Sequence, residues 1–203
     1  MITMYNYVKK LIDKLPESMR GEKPTAAPEY LFKTSAKESL RLDNEMSETF
    51  HTITATTLYL SQRARVDLQL SISFLCTRVK YPDEHDWKKL SHLMKYLQKT
   101  DFLPLILRCN GEGTCIYIDG AHGAHADMKG HIGVYATEGT GAMYSSSNKM
   151  KLNTISSTES VGEKLPKCLW YRMFRIAQGG YANEDVLMQD NQSAILLENI
   201  GRY

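Results

Sequence analysis

The chain is poor in features that would settle its class quickly. Its 203 residues include only four cysteines and two tryptophans, and its formal net charge is +2. Cys76, Cys109, Cys115 and Cys168 form no Cys-x-x-Cys pair, which argues against a zinc or dithiol motif. Scattered buried thiols in a reducing cytosol are the expectation. No apolar stretch reaches the length of a membrane span. The first fifteen residues, broken by Lys9, Lys10, Asp13 and Lys14, lack the apolar core of a signal peptide. The expectation is therefore no membrane partner and a place in the cytoplasm, with the nucleus as the alternative. A charge of +2 does not mark a nucleic-acid binder, which usually carries a clustered basic surface. There is no internal repeat. What is present is enough apolar residue, 42%, to build a core. The length holds one ordinary domain, or one domain and a remnant of another.

The first half reads as helical. Met4, Tyr7, Val8, Leu11, Ile12 and Leu15 fall at helical spacing, and Pro16 ends that helix. Residues 17–44, with Pro24 and Pro28, read as a connector holding an apolar anchor at Tyr30-Leu31-Phe32. Further helices are predicted over 45–63, over 66–79, and after Pro82, where Asp83 is a plausible N-cap with Asp86 three positions on. Trp87, Leu90, Leu93, Met94 and Leu97 form the inner stripe of the last helix. Lys88, Lys89, Lys95 and Lys99 lie outside the stripe, as a solvated face or as a phosphate-facing ridge. Residues 103–107 are short, apolar and strand-like. The turn at Asn110-Gly111-Glu112-Gly113 marks a change of pattern.

After that turn, strands are predicted over 114–119, 131–137 and 141–145, then a helix from Ser156 or Ser157 toward Ala177. A strand at 186–188 and a helix over 191–198 follow. Trp170, Tyr171 and Phe174, on helical spacing, are expected in the core. The order predicts a mixed α/β sheet. Asp119 and Asp190 each end a short apolar run, and Glu159 stands near a helix start. Acids so placed suit a two-magnesium phosphodiester nuclease, in which paired ions clamp the attacking and leaving oxygens. Each acid also has a plainer role. Asp119 could be a turn residue before Gly120, Asp190 a cap for the next helix, and Glu159 the partner of Ser156 in a capping box. His122, His125 and His131 lack the cysteine partners of a closed zinc site and are expected as solvated or hydrogen-bonding histidines.

The run from Asp119-Gly120-Ala121-His122 through Asp127-Met128-Lys129-Gly130-His131 resembles the first motif of the ribonuclease H region of copia-type LTR retrotransposon polyproteins. Tyr144-Ser145-Ser146-Ser147-Asn148-Lys149 through Asn153-Thr154, and Gln189-Asp190-Asn191-Gln192-Ser193-Ala194, resemble its later motifs. Gln62 through Asp67, Leu75 through Val79, Trp87 through Leu90 and Met94 through Leu97 are similar to the end of the same family's reverse transcriptase. Val66 stands where that family usually has proline.

The resemblance implies a fold class of α/β, a ribonuclease H-like mixed sheet with flanking helices over 109–203. A mostly helical reverse-transcriptase connection remnant would precede it over 1–108. It implies magnesium-dependent hydrolysis of RNA in RNA–DNA hybrids, with manganese as a substitute ion. Asp119, Glu159 and Asp190 would be both catalytic and metal-binding. Ser146, Lys149, Lys151 and Asn191 are the expected nucleic-acid contacts; the serine run with Lys149 and Lys151 could donate to phosphates, or could be only a polar hairpin edge. The partners would be the hybrid and the rest of the reverse transcriptase. The polymerase aspartate pair would lie upstream of Met1, and Tyr81-Pro82-Asp83-Glu84 lacks a second aspartate, so no polymerisation is expected.

Two departures weaken the expected nuclease. The family usually has a second glutamate two residues after the first, and Val161 stands there. The segment is shorter than the family pattern by roughly one helical turn, with Gly162 weakening the helix start and Glu163 as a substitute acid. Family members also continue into a last helix that supplies another metal-facing residue, so the domain is expected to be incomplete beyond Tyr203. An impaired ribonuclease fragment is the leading expectation. A non-catalytic nucleic-acid- or protein-binding module, or a relic without function, is the alternative.

Overall fold

The computed structural model describes residues 1–34, 39–151 and 186–188, with Trp170, Met173, Phe174, Ile176, Ala177 and Gly179. The chain divides into two compact units, Met1–Leu105 and Ile106–Tyr203. The class is mixed α/β. No helix among the described residues is long and apolar enough to cross a membrane.

The first unit is helical. Helix α1 (Tyr5–Asp13) buries Val8 and Leu11, three positions apart on one face. A short 3₁₀ turn, Glu17–Met19, then drives Met19 fully into the core. Helix α2 (Asn44–Arg63) starts where Asp43 accepts a hydrogen bond from the Met46 amide at 2.8 Å. The expected helix over 66–79 is divided. A 3₁₀ turn, Val66–Leu68, precedes α3 (Gln69–Cys76). The division follows Arg65, whose buried guanidinium grips Asp67 two residues ahead at 2.7 Å and the Thr100 carbonyl at 2.8 Å. Helix α4 (Glu84–Lys99) carries a full capping box between Asp83 and Asp86. Leu90, Leu93, Met94 and Leu97 of α4 are fully buried with Phe50, Leu60, Ile72 and Leu75. Each such side chain contributes roughly 1.5–3 kcal/mol of transfer free energy.

Lys89 departs from its expected place among the outward lysines. It is 1% exposed. Its ammonium donates to the Lys33 carbonyl at 2.7 Å and lies 3.6 Å from Asp86. The connector folds back over α4 and covers it, which the helix's own periodicity does not register. The anchor in that connector holds through Leu31, which is buried.

The second unit is built on strands. Strands β1 (Arg108–Cys109) and β4 (Gly139–Thr140) form a small antiparallel pair. Strands β2 (Cys115–Ala121), β3 (His131–Thr137), β5 (Tyr144–Lys149) and β6 (Val186–Met188) form one sheet in the order β5-β3-β2-β6. The first three neighbours are antiparallel, and β6 runs parallel to β2. Ile116, Ile118, Ile132, Val134, Ala136 and Met150 make its core.

Several expected boundaries move. The stretch at 103–107 forms only an isolated bridge between Leu105 and Ile2, because Pro104 has no N–H to extend a ladder. The third strand of the sheet begins at Tyr144 rather than at Gly141. Gly141 has φ +78°, a turn conformation. The polar serine run can be a strand because β5 is an edge of the sheet and pairs on one side only among the described residues. Strand β2 continues two residues past Asp119. Trp170 and Phe174 were expected in the core. They stack on each other at 5.5 Å, as helix neighbours four apart do, with Trp170 64% exposed. The helix expected over 191–198 lies outside the described residues.

Candidate functional site

Alternation along β2 buries Ile116 and Ile118 and leaves Tyr117 and Asp119 exposed. Residues paired across an antiparallel ladder share a face. On the Asp119 side, Tyr117, Tyr135 and Ser145 form one row, Asp119, Gly133 and Ser147 the next, and Ala121, His131 and Lys149 the last. Gly133 has no side chain, so the middle row is open between Asp119 and Ser147. Two strand spacings, about 10 Å, separate their backbones.

A chain of polar contacts runs along this face. The Nε2 atom of His125 and the Nδ1 atom of His131 are 3.0 Å apart. The Nε2 atom of His131 is 2.7 Å from the Ser147 hydroxyl. Both histidines are buried. The loop between β2 and β3 holds His125 in place. Its amide donates to the Lys129 carbonyl at 3.0 Å, and its carbonyl accepts from the Met128 amide at 2.8 Å. Gly130 closes the loop where a Cβ would meet the Met150 sulfur at 2.6 Å and the Ala121 carbonyl at 2.9 Å. Lys149 pairs with Asp127 of the same loop at 2.7 Å.

The electrostatics follow from this packing. Burial pushes the His125 imidazole below its ordinary pKa, the Lys149 charge adds to that, and Asp127 opposes it. The hydrogen bond from Lys149 is the main cause holding the Asp127 carboxyl below its ordinary value.

Of the residues expected to act, Asp119 and Lys149 share the polar face. Ser146 does not. It pairs with Val134 on the apolar side, and its hydroxyl is buried without a hydrogen-bond partner. Lys151 is exposed just beyond β5. Glu159, Glu163, Asp190 and Asn191 lie outside the described residues. Among the described residues no group of three or more His, Cys, Asp or Glu side chains is placed to hold a metal ion. Asp119 is thus the one expected ligand that can be located, as an exposed oxygen donor of the kind magnesium takes.

No family model, curated protein or solved structure matches the chain. The contact between His131 and Ser147 was not legible beforehand. Alternation within 131–137 could place His131 with Gly133, but the partner in β5 depends on register.

Proposed function

We propose that the chain is part of a copia-type reverse transcriptase/ribonuclease H polyprotein. Residues 1–108 are the reverse-transcriptase remnant and 109–203 the ribonuclease H-like domain. Its ancestral reaction is magnesium-dependent hydrolysis of the RNA strand of an RNA–DNA hybrid. Beyond the motif run, one observation supports this reading most. Strand β6 is parallel to β2, with Met188 level with Tyr117. Parallel neighbours need a crossover connection, and the helical residues between Trp170 and Ala177 lie between them in sequence. Asp119 follows Tyr117 by two positions, and Asp190 follows Met188 by two. Asp190 lies outside the described residues; on this reading its carboxylate and that of Asp119 would hold one pair of ions.

Asp119 and Asp190 would hold magnesium, with Glu159 as third ligand. Bound magnesium supplies charge that offsets carboxylate repulsion and polarises the phosphate. Val161, in place of the family's second glutamate, removes charge and geometry from the set. Activity is accordingly weak. Lys151 is the freer phosphate contact, since Lys149 is engaged with Asp127.

Cleavage of a labelled hybrid with magnesium or manganese, beside Asp119→Asn, tests the reading. Slow cleavage abolished by the substitution supports it. No cleavage by folded protein with either ion defeats the catalytic reading. Salt-dependent hybrid binding in that case leaves the non-catalytic binding module.

A further inference from the structure

We propose that Ser147 is a base-activated nucleophile, with His131 as its general base and His125 orienting His131. A free serine hydroxyl is a weak nucleophile. The arrangement that activates it is a base within hydrogen-bond reach and a third group fixing that base. Both contacts are present, at 2.7 Å from Ser147 to His131 and at 3.0 Å from His131 to His125.

Exposure is distributed as such a site requires. His131 is 5% and His125 4% exposed, while Ser147 on the edge strand is partly exposed. The base is shielded from water and the nucleophile is reachable. Opposite Ser147 stands Gly133, which leaves room on the sheet face for a reacting group. Lys149 is two residues along the same strand and on the same face.

The protons can be ordered for the reaction. The Ser147 hydroxyl donates to His131 Nε2, and His131 Nδ1–H donates to His125 Nε2, with both rings neutral. In the opposite order the histidines donate toward the serine, and the array is inert. The substrate class is an activated acyl group such as an ester. The Ser147 Oγ–carbon bond forms and the ester carbon–oxygen bond breaks. The serine proton passes through His131 Nε2 to the departing alkoxide. Water then cleaves the acyl-serine by the same route.

The test is labelling of the full chain with an alkyl fluorophosphonate, mapped by peptide mass. Phosphorus bonds to Ser147 Oγ, fluoride leaves, and His131 takes the proton. Labelling should fall on Ser147, be lost in Ser147→Ala, and slow by about 100-fold or more in His131→Gln. EDTA should leave it unchanged, whereas magnesium-dependent hybrid cleavage would stop. No label on Ser147 in folded protein, or an equal rate in His131→Gln, overturns the proposal. Because His131 is buried and its replacement can unfold the unit, Ser147→Cys provides a second reading. Its thiol should react with iodoacetamide near pH 6 about tenfold faster than the exposed free Cys109, as a thiolate formed beside a base does. A rate equal to or below that of Cys109 overturns the proposal as well.

Discussion

The ammonium of Lys89 lies 4.6 Å from the ring centre of Phe74 and 2.7 Å from the carbonyl oxygen of Lys33. It thereby ties the connector to α4 inside the first unit. Burial pushes the Lys89 pKa down, and Asp86 works against that. Asp86 also holds Arg78, at 2.9 Å. Lys89→Met would keep the packing of the stem but leave the Lys33 carbonyl without its donor. We expect a loss of about 1–3 kcal/mol in urea unfolding. Unchanged or increased stability would show that the lysine contributes nothing net, as some buried ion pairs do.

Gly111 and Gly141 offer a matched pair. Both have φ near +79°, but a Cβ on Gly111 meets nothing within 4 Å. On Gly141 it would collide with the carbonyl oxygen of Ile106. Gly111→Ala should cost about 1 kcal/mol for the left-handed backbone alone. Gly141→Ala should cost clearly more, since backbone must move as well. Equal shifts in melting temperature would contradict this.

His125 sets a pH dependence for the second unit. Its folded pKa is below the ordinary value of 6.5. Between those two values the unfolded chain binds more protons than the folded one, so acidification favours unfolding. The contribution is complete above 6.5 and is lost as pH falls through the folded value. The lowered Asp127 carboxyl acts in the same direction, but only below the carboxylate range. His92 of the first unit is also lowered, mainly by burial, so the readout must be local. The protection of amides in β3 and β5, taken relative to the intrinsic exchange rate at each pH, should fall from about pH 7 to pH 5, and His125→Gln should flatten that slope. An unaltered slope would refute the assignment to His125.

The parallel pairing of β2 with β6 can be trapped covalently. Cys115 is level with Val186. Adjacent strands lie about 4.8 Å apart, within disulfide range. Oxidised Val186→Cys should form a bond between Cys115 and the thiol at position 186, seen by peptide mass. A bond from position 186 to Cys109 instead, or none, would remove the parallel register of β2 and β6 that supports the proposed function.

Much of the fold was legible because its signals are local. The 3.6-residue spacing of Val8 and Leu11 and the cap at Asp83 with Asp86 three positions on act within a turn or two of chain. The two-residue alternation of β2 and β3 was equally local. Asp119 was placed on a strand for that reason. Gly120 suggests a turn directly after Asp119, yet the ladder to His131 carries β2 on to Ala121. The start of β5 differs from the expected 141 because its serines carry no apolar period, and an edge strand needs none. Ser146 could not be assigned a face until its pairing with Val134 was known.

The sequence by itself determined that a helical half precedes a half built on strands, the cap at Asp83, and the face on which the apolar residues of α1, α4, β2 and β3 fall. These depend on neighbours a few positions away. Only the tertiary structure decided which polar side chains meet. Lys89 is 56 positions from the carbonyl that accepts its proton, and His131 is 16 from Ser147. Such contacts depend on how the connector folds back and on strand register. A one-residue slip of β5 would turn Ser147 to the apolar side and bring Ser146 to His131's face instead.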